Sequence, residues 1–432
     1  MIKSFLKKII PLKIFSIYHW FLAYFATLFY GWPSEKMIVI GVTGTAGKST
    51  AVNLIGKILE QAGFKVGLST TFNFKIGDQE WENKKKMTML GRFALQKFLK
   101  KMFQSGCRYA IIETSSEGIK QFRHLGINYD VAVFLNLFPE HLESHGGFEK
   151  YRQAKEKLFF HLAKKRKKII NGKLIEKISI VNFDDQSKEY FLKFPADQKY
   201  GFTIINQENR DDLNLIKADG VLLNSNQTSF KVKEIDFKLN LLGEFNIYNA
   251  LSAISVALSQ NIPLEICAQA LKQVESMPGR MEIILKNPFT VIVDYAHLPD
   301  SLEKVYQTLK PLVNRKMICV LGSAGGGRDK WKRPVMGALA EKYGDEIIVT
   351  NEDPYDENSQ KIIDEIIHGI KSKKVIKILD RKEAIEKALR MAEPGDLVII
   401  TGKGCEPWLM GPKGEKIPWD DRKIVKDFLK KM

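Results

Sequence analysis

Cysteine is scarce: Cys107, Cys267, Cys319 and Cys405 are the four in 432 residues, far apart and without a CxxC pair. Their spacing excludes a zinc ribbon and a disulfide scaffold, and it fits a reducing compartment. Internal repeats and low-complexity tracts are absent. Acidic residues are outnumbered, 50 Asp+Glu against 67 Lys+Arg, for a formal net charge of +17. That excess favours anionic partners such as nucleotides, acidic metabolites, nucleic acid or an anionic membrane face. With 44% hydrophobic and 27% charged residues, the chain is neither disordered nor collagen-like, and its length allows two or three domains.

Residues 14–32, IFSIYHWFLAYFATLFYGW, lack Asp, Glu, Lys and Arg altogether. The stretch is just long enough to cross a bilayer as a helix. Lys3, Lys7, Lys8 and Lys13 precede it, while Glu35 and Lys36 follow, a polarity that would send the rest of the chain out of the cytoplasm. The next element is a nucleotide loop, which needs cytoplasmic ATP. Nine aromatics and a His also fit an interfacial helix better than a Leu-rich span, and no small-x-small cleavage site follows. Residues 1–36 are therefore expected to form an apolar, basic segment whose residues 1–32 touch a membrane surface or dock an acceptor. A helix packed on the protein itself and a true span are the alternatives.

Met37–Val42 is a short apolar run leading into GTAGKST and then AVNLIGKILEQAG, a helical pattern with a Gly stop. Further buried-strand candidates are Tyr109–Ile112, Val131–Leu135, Ile178–Val181, Val291–Val293, Met317–Leu321, Glu346–Val349 and Leu397–Ile400. Helical stretches between most of them predict a parallel α/β chain. From about Lys188 to Leu242 short alternating runs predict an antiparallel patch. A helix over Asn246–Gln260 then leads to the Met277–Arg280 turn, where a second α/β series begins. The run KKRKK at Lys164–Lys168 reads as a solvated helix end, and nucleic-acid binding is not expected.

The segment Gly41-Val-Thr-Gly44-Thr45-Ala-Gly47-Lys48-Ser49-Thr50 carries the strongest chemical signal. Its glycines let successive backbone N–H groups face phosphate oxygens, and the following helix adds its positive end. Lys48 would bridge the β- and γ-phosphates of ATP and Ser49 would hold Mg²⁺. Strict Walker A spacing puts Val42 at the first glycine position, with Gly41 one residue too far.

This loop resembles that of the Mur ligases, ATP-dependent enzymes that add amino acids to peptidoglycan precursors. Ten further motifs follow in the family's order: Glu113-Thr-Ser-Ser116, Asn136-Leu-Phe-Pro-Glu-His141-Leu-Glu-Ser-His145-Gly, Tyr151-Arg-Gln-Ala-Lys155, Val181-Asn-Phe-Asp-Asp185, Gly243-Glu-Phe-Asn246-Ile-Tyr-Asn249, Pro278-Gly-Arg280, Asp294-Tyr-Ala-His297, Arg328-Asp-Lys-Trp-Lys-Arg333, Asp380-Arg381 and Gly402-Lys-Gly-Cys-Glu406. The last elements look most like the MurE type, the tripeptide synthetases. The resemblance implies a P-loop central domain (37–278) with a parallel sheet and a small antiparallel patch. A Rossmann-like α/β C-terminal domain (279–432) would follow and close over ATP and the amino acid.

It also implies the chemistry. A carboxylate becomes an acyl donor by attacking the ATP γ-phosphate, so catalysis is mostly positioning and cation supply. Glu113 and Ser49 would hold one Mg²⁺. His141 and Lys155 would hold a second, with Lys155 carbamylated by CO₂, as the matching lysine is in the family. Asn246 and Asn249 suit adenine edges, or else cap and pack. Asp294 would meet ribose or the metal shell, or cap a helix. Arg280 would sit at the hinge, while Arg328 and Lys330 would face phosphates or form a solvated basic loop. Thr88, Ser115, Ser116 and Arg123 fall where the family contacts its acceptor, with loop capping the alternative for each. An enzyme of this kind is expected in the cytoplasm, here associated with the inner face of the plasma membrane.

Three departures qualify the resemblance. Only 36 residues precede the first strand, too few for the family's UDP-binding domain, so a lipid-linked or smaller acceptor is an alternative. The family's D-N-P-R reads Glu352-Asp353-Pro354-Tyr355; an arginine fork suits a distal carboxylate and Tyr355 lacks the charge. Diaminopimelate is thereby in question and a lysine-like diamino acid enters, with Asp353 and Glu406 available to hold amino groups. Glu117 and Cys405 stand where the family has His, and Cys405 reads as a packing residue. A folylpolyglutamate- or polyglutamate-type ligase, and a membrane-associated ATP-binding scaffold without ligase activity, are the competing functions.

Overall fold

In a computed structural model of the chain, residues 12–206, 210–225 and 227–431 are described, with side chains from residue 17 onward. A nine-stranded sheet runs in the order Asn214–Lys217, Gln198–Thr203, Ile178–Asn182, Val131–Phe134, Ile38–Thr43, Tyr109–Glu113, Val66–Ser69, Asn73–Ile76, Gln79–Glu82. Pairing is parallel as far as Val66–Ser69, and the last two strands return antiparallel. The central strands are continuous Val/Ile runs because helices cover both faces. Lys48–Gln61, Glu244–Ser259 and Leu264–Lys272 lie on one face, Arg92–Gln104 and Phe148–Lys164 on the other.

After the Met277–Arg280 turn a second sheet takes over, ordered Glu282–Leu285, Thr290–Asp294, Leu397–Thr401, Met317–Leu321, Glu346–Val349, Val375–Lys377. Only its first strand is antiparallel. It too has helices on both faces, as expected of an α/β fold with a second doubly covered sheet. The Asp380-Arg381 motif is structural: Asp380 caps the helix Arg381–Met391, and Arg381 forms a fully buried fork with Asp421 at 2.7 and 3.0 Å.

Some expectations are corrected. Of the stretch read as antiparallel, only Asp219–Leu223, Thr228–Val232 and Ile235–Leu239 form such a sheet, whose Phe230, Val232, Phe237 and Leu239 pack on the first core. Gln198–Thr203 and Asn214–Lys217 extend the parallel sheet instead, while Lys188–Leu192 is helical. The Asn73–Ile76 and Gln79–Glu82 hairpin has no counterpart in the sequence reading. KKRKK is only partly solvated: Lys168 opens a short strand, and its ammonium is buried against Asp130 at 2.5 Å.

The N-terminal helix, Leu12–Phe29, has two unlike faces. Ala23, Ala26 and Thr27 are buried, and the Thr27 hydroxyl donates to the Ala23 carbonyl. The helix thereby packs on Arg92–Gln104 and on the Gly126 turn. Trp20, Phe21, Tyr24, Phe25, Leu28 and Phe29 are exposed, Phe21 to 59%. Among the described residues no helix is long and apolar enough to cross a membrane.

Asp130, wholly buried, accepts from Val39 N (2.9 Å), Lys168 and Lys177 (3.0 Å) and so joins the central strand to its neighbours. Burial brings the Lys168 ammonium down to about 8, with Asp130 opposing. Replacing Asp130→Ala leaves two buried cations without their carboxylate, so urea unfolding should show a loss of about 3–5 kcal/mol. A loss below about 1 kcal/mol, the scale of an exposed pair, would show that water or backbone satisfies those ammoniums.

Candidate active site

Residues that follow the carboxyl ends of strands in both sheets line a cavity of about 560 Å³, the place where parallel α/β sheets expose their loops. The phosphate-type loop leaves Ile38–Thr43 and enters the helix Lys48–Gln61. Gly47 has φ +80°, and a Cβ there would lie 2.3 Å from Asn249 Oδ1, so only glycine fits. Asn136 Oδ1 accepts from Thr45 N and Ala46 N at 3.1 and 2.9 Å and holds the loop open. Lys48 Nζ donates to Thr45 O at 2.8 Å. Ser49 Oγ donates to Glu113 Oε2 at 2.7 Å, and Thr71 donates to both Glu113 oxygens. A hydroxyl and a carboxylate already in contact are the hard oxygen donors that Mg²⁺ requires.

Behind the loop lies Lys155, on the helix Phe148–Lys164 and 1% exposed. Its Nζ donates to Gly44 O at 2.7 Å and stands 4.5 Å from the Tyr151 ring centre. Burial, reinforced by the Lys48 charge, drives its pKa well below that of an ordinary lysine. Tyr151, one turn earlier, shares its hydroxyl with Thr45 Oγ1 (3.0 Å) and Glu140 Oε2 (3.2 Å). Glu140 stays ionised well below the usual range, because His141, His297 and Lys48 overcome the cost of its burial. His141, on a left-handed residue (φ +55°), has its pKa lowered by burial and by Arg328 and Lys155, against Glu140. Its Nε2 lies 3.4 Å from Glu140 Oε1, on the cavity side.

The second sheet's loops close the cavity. Asp329 accepts from Leu142 N and Glu143 N at 3.1 Å each, and Arg328 Nη1 lies 3.5 Å from His141 Nδ1. Asp294 accepts from Met281 N and Ala296 N, tying the Met277–Arg280 turn to its own loop, and Arg280 stacks 4.0 Å over Tyr295. At the far end Glu406 accepts from Tyr295 OH (3.1 Å), and Lys403 pairs with both Glu406 (2.5 Å) and Asp353 (3.0 Å).

The residues matched by family models fall on this frame: 42–257 match the Mur ligase middle domain, and 279–404 match the Mur ligase, glutamate ligase domain. The chain belongs to the Mur ligase family. It is 39% identical over 403 residues to UDP-N-acetylmuramoyl-L-alanyl-D-glutamate--2,6-diaminopimelate ligase of Aquifex aeolicus, covering 93% of this chain and 79% of that one. It is 38% identical to the UDP-N-acetylmuramyl-tripeptide synthetase of a Roseiflexus species, covering 93% and 80%. A solved 2,6-diaminopimelate ligase structure matches at 28% identity and TM-score 0.59, over 92% of this chain and 79% of that one. Folylpolyglutamate synthase of Mycobacterium tuberculosis shares the fold alone, at 16% identity and TM-score 0.68, over 88% and 92%. This Mur ligase is an ATP-dependent, amide-forming enzyme of a family that uses ATP and Mg²⁺.

Of the sequence-predicted site residues, all but Gly44 and Lys330 line the cavity. Gly44 contributes the carbonyl that receives Lys155. Lys330 turns outward, half exposed and 3.6 Å from Glu357, while Lys332 occupies the inward position and donates to His297 O at 2.9 Å. Asn246 and Asn249 are both buried, and Asn249 donates to Asn246 Oδ1 at 3.0 Å. Ser115 caps its own short helix through Gly118 N at 3.2 Å, and Arg123 is bound to Met89 O and Gln121. Cys405 is buried and its thiol pushed up to about 11 by that burial, which suits packing. Tyr151, Glu140, Asn136 and Lys86 were not singled out by the sequence reading; the first three lie inside motifs it quotes, Lys86 in none.

Tyr151 positions the loop, Glu140 and Lys155 together, so Tyr151→Phe should cut amino-acid-dependent ADP release about 10–100-fold. It should raise the Mg²⁺ concentration for half-maximal rate without altering the circular dichroism spectrum. An unchanged Mg²⁺ requirement would remove the hydroxyl from the metal-side network.

Proposed function

We propose that this Mur ligase joins a diamino acid to the peptide of a UDP-N-acetylmuramoyl-L-alanyl-D-glutamate-type acceptor, as the names of its relatives indicate for them. The acceptor carboxylate attacks the γ-phosphorus and ADP leaves. The amine then attacks the acyl carbon, inorganic phosphate departs and a proton is lost. Residues 37–278 supply the nucleotide and acceptor side and residues 279–432 the amino-acid side.

The observation that carries the metal chemistry is the burial of Lys155. Among the described residues no three His, Cys, Asp or Glu side chains form a ready metal cage, so a second Mg²⁺ beside His141 and Glu140 is short of an anionic ligand. CO₂ adds only to a neutral amine, which the depressed pKa of Lys155 provides, and the carbamate formed would supply the missing charge. Ser49 and Glu113 would hold the first Mg²⁺. Mg²⁺ bound there would offset charge on the transferring phosphoryl group, while Lys48 and Arg328 would orient it. Lys155→Ala should lower turnover by at least about 100-fold, the cost of removing a group that stabilises developing charge, with partial rescue by a small carboxylic acid. ¹³CO₂-labelled protein should show a carbamate carbon that this variant lacks. Phosphate release that ignores added amino acid would favour a nucleotide-binding scaffold instead.

Membrane-surface contact is the second part of the proposal. Next to the exposed aromatic face of Leu12–Phe29 lies a cleft lined by Gly31, Trp32, Glu35, Lys36, Lys165 and Arg166, where three cations outnumber one carboxylate, as contact with anionic headgroups favours. The full chain should sediment with vesicles containing anionic phospholipid and far less with neutral ones. Phe21→Ser combined with Tyr24→Ser should abolish sedimentation while ligation of a soluble acceptor continues. Equal sedimentation with neutral vesicles would refute the part given to the cations, and none with either would refute the contact.

A further inference from the structure

At the amino-acid end of the cavity a cation from the central domain intrudes into the C-terminal domain. Lys86, from the segment between the Gln79–Glu82 strand and the helix Arg92–Gln104, places its ammonium on Asp353 and 3.3 Å from Glu406 Oε2. It also lies 3.4 Å from Trp408 O, and the Trp408 indole donates back to Lys84 O at 3.0 Å. The Lys86 side chain is 13% exposed. Both Lys86 and the facing Tyr355 have left-handed backbone, φ +50° and +53°, and the ammonium lies 5.9 Å from the Tyr355 ring centre. Two non-glycine residues in that region, opposite one another across a cavity, mark conformations held in place by their surroundings.

The charges balance only as a set. Asp353 and Glu406 face Lys403 and Lys86. Lys403 is fully buried and fixed by its own loop, whereas Lys86 comes from the opposite domain and is the member an entering ammonium would displace. A displaced, largely buried Lys86 then needs a new anion. A substrate ending in an ammonium alone provides none. One ending in a carboxylate alone provides it but faces Asp353 and Glu406 unneutralised. A distal end bearing both groups satisfies each partner.

We propose that Lys86 is a specificity-determining residue. It yields Asp353 and Glu406 to the distal ammonium of the incoming amino acid and pairs with that acid's distal carboxylate, in the region where Tyr355 offers no charge. The inference rests on the ligase reading above and names the substrate class for the same site: a diamino dicarboxylic acid.

The test measures ADP release by the full chain with ATP, Mg²⁺ and the UDP-linked dipeptide acceptor, comparing meso-diaminopimelate, L-lysine and L-glutamate. The wild type should prefer diaminopimelate. Lys86→Met should lower the diaminopimelate-to-lysine ratio of kcat/KM by about 30-fold or more, the cost of removing one partner of a buried charge pair. That loss should appear as a higher KM for the amino acid with the KM for ATP unchanged, and Lys86→Arg should retain most of the preference. A ratio unmoved by Lys86→Met, or a wild type that prefers lysine, overturns the assignment while leaving the ligase intact. ADP release that responds to none of the three amino acids would overturn the ligase reading itself and this assignment with it.

Discussion

Lys155 is held out of water directly behind the phosphate-type loop, with its only hydrogen bond among those described going to the Gly44 carbonyl and Lys48 as a second cation nearby. An ammonium in that position is disfavoured twice, by lost solvation and by like charge. Both effects favour the neutral amine, and the neighbouring groups are arranged around it. Tyr151 shares the helix face of Lys155, four residues earlier as helical spacing requires. Its hydroxyl spans Thr45 of the loop and Glu140, so loop, carboxylate and amine move as one unit. His141 lies in the same surroundings, and burial lowers its pKa against the pull of Glu140.

The two sheets divide the chemistry. Elements of the first carry the phosphate-type loop, Ser49, Glu113 and Lys155, the groups proposed to activate the carboxylate. Loops of the second bring Arg328, Asp353 and Glu406, the groups proposed to orient phosphate and amine. Neither set encloses the cavity alone. Asp329 docking on the Leu142–Glu143 amides, and Lys86 docking on Asp353, are polar contacts between the halves. Polar contacts of this kind can break and re-form as substrates exchange, which a dry apolar interface would resist.

Local features carried most of what the sequence made legible. Glycines and a lysine between an apolar run and an amphipathic helix announce a phosphate loop by themselves, and the buried strands named from long Val/Ile runs are found, whereas the short buried strand Val66–Ser69, with Gly and Ser in it, gave no such signal. The role proposed for Lys155 rests on family resemblance and its burial, since an isolated Y-x-x-A-K looks like any helix surface. Lys330 and Lys332 differ by two positions, and only the start of the helix at Lys332 decides which points inward. Lys168 hides in a basic run because its partner, Asp130, lies 38 residues away. Lys86 was invisible for the same reason on a larger scale: its meaning comes from Asp353, 267 residues later. Alternation likewise could not separate Gln198–Thr203, which joins the large sheet edge to edge, from the small sheet that follows it.

The N-terminal helix carries the same logic to the surface. Ala23, Ala26 and Thr27 form a stripe of small residues at i, i+3 and i+4, which lets the backbone approach the Gly126 turn so closely that a Cβ at Gly126 would lie 2.1 Å from Thr27 Oγ1. Packing the small side chains inward turns the large aromatic ones outward, the reverse of the usual arrangement in a soluble helix. The two elements beneath it both lead to the cavity. Arg92–Gln104 directly follows the segment bearing Lys86 and Thr88, and the Gly126 turn lies three residues beyond Arg123. The helix is thus packed on elements continuous with the cavity wall. Under the proposed membrane contact, a surface that receives the helix would therefore bear on elements continuous with the cavity wall that carries Thr88 and Arg123.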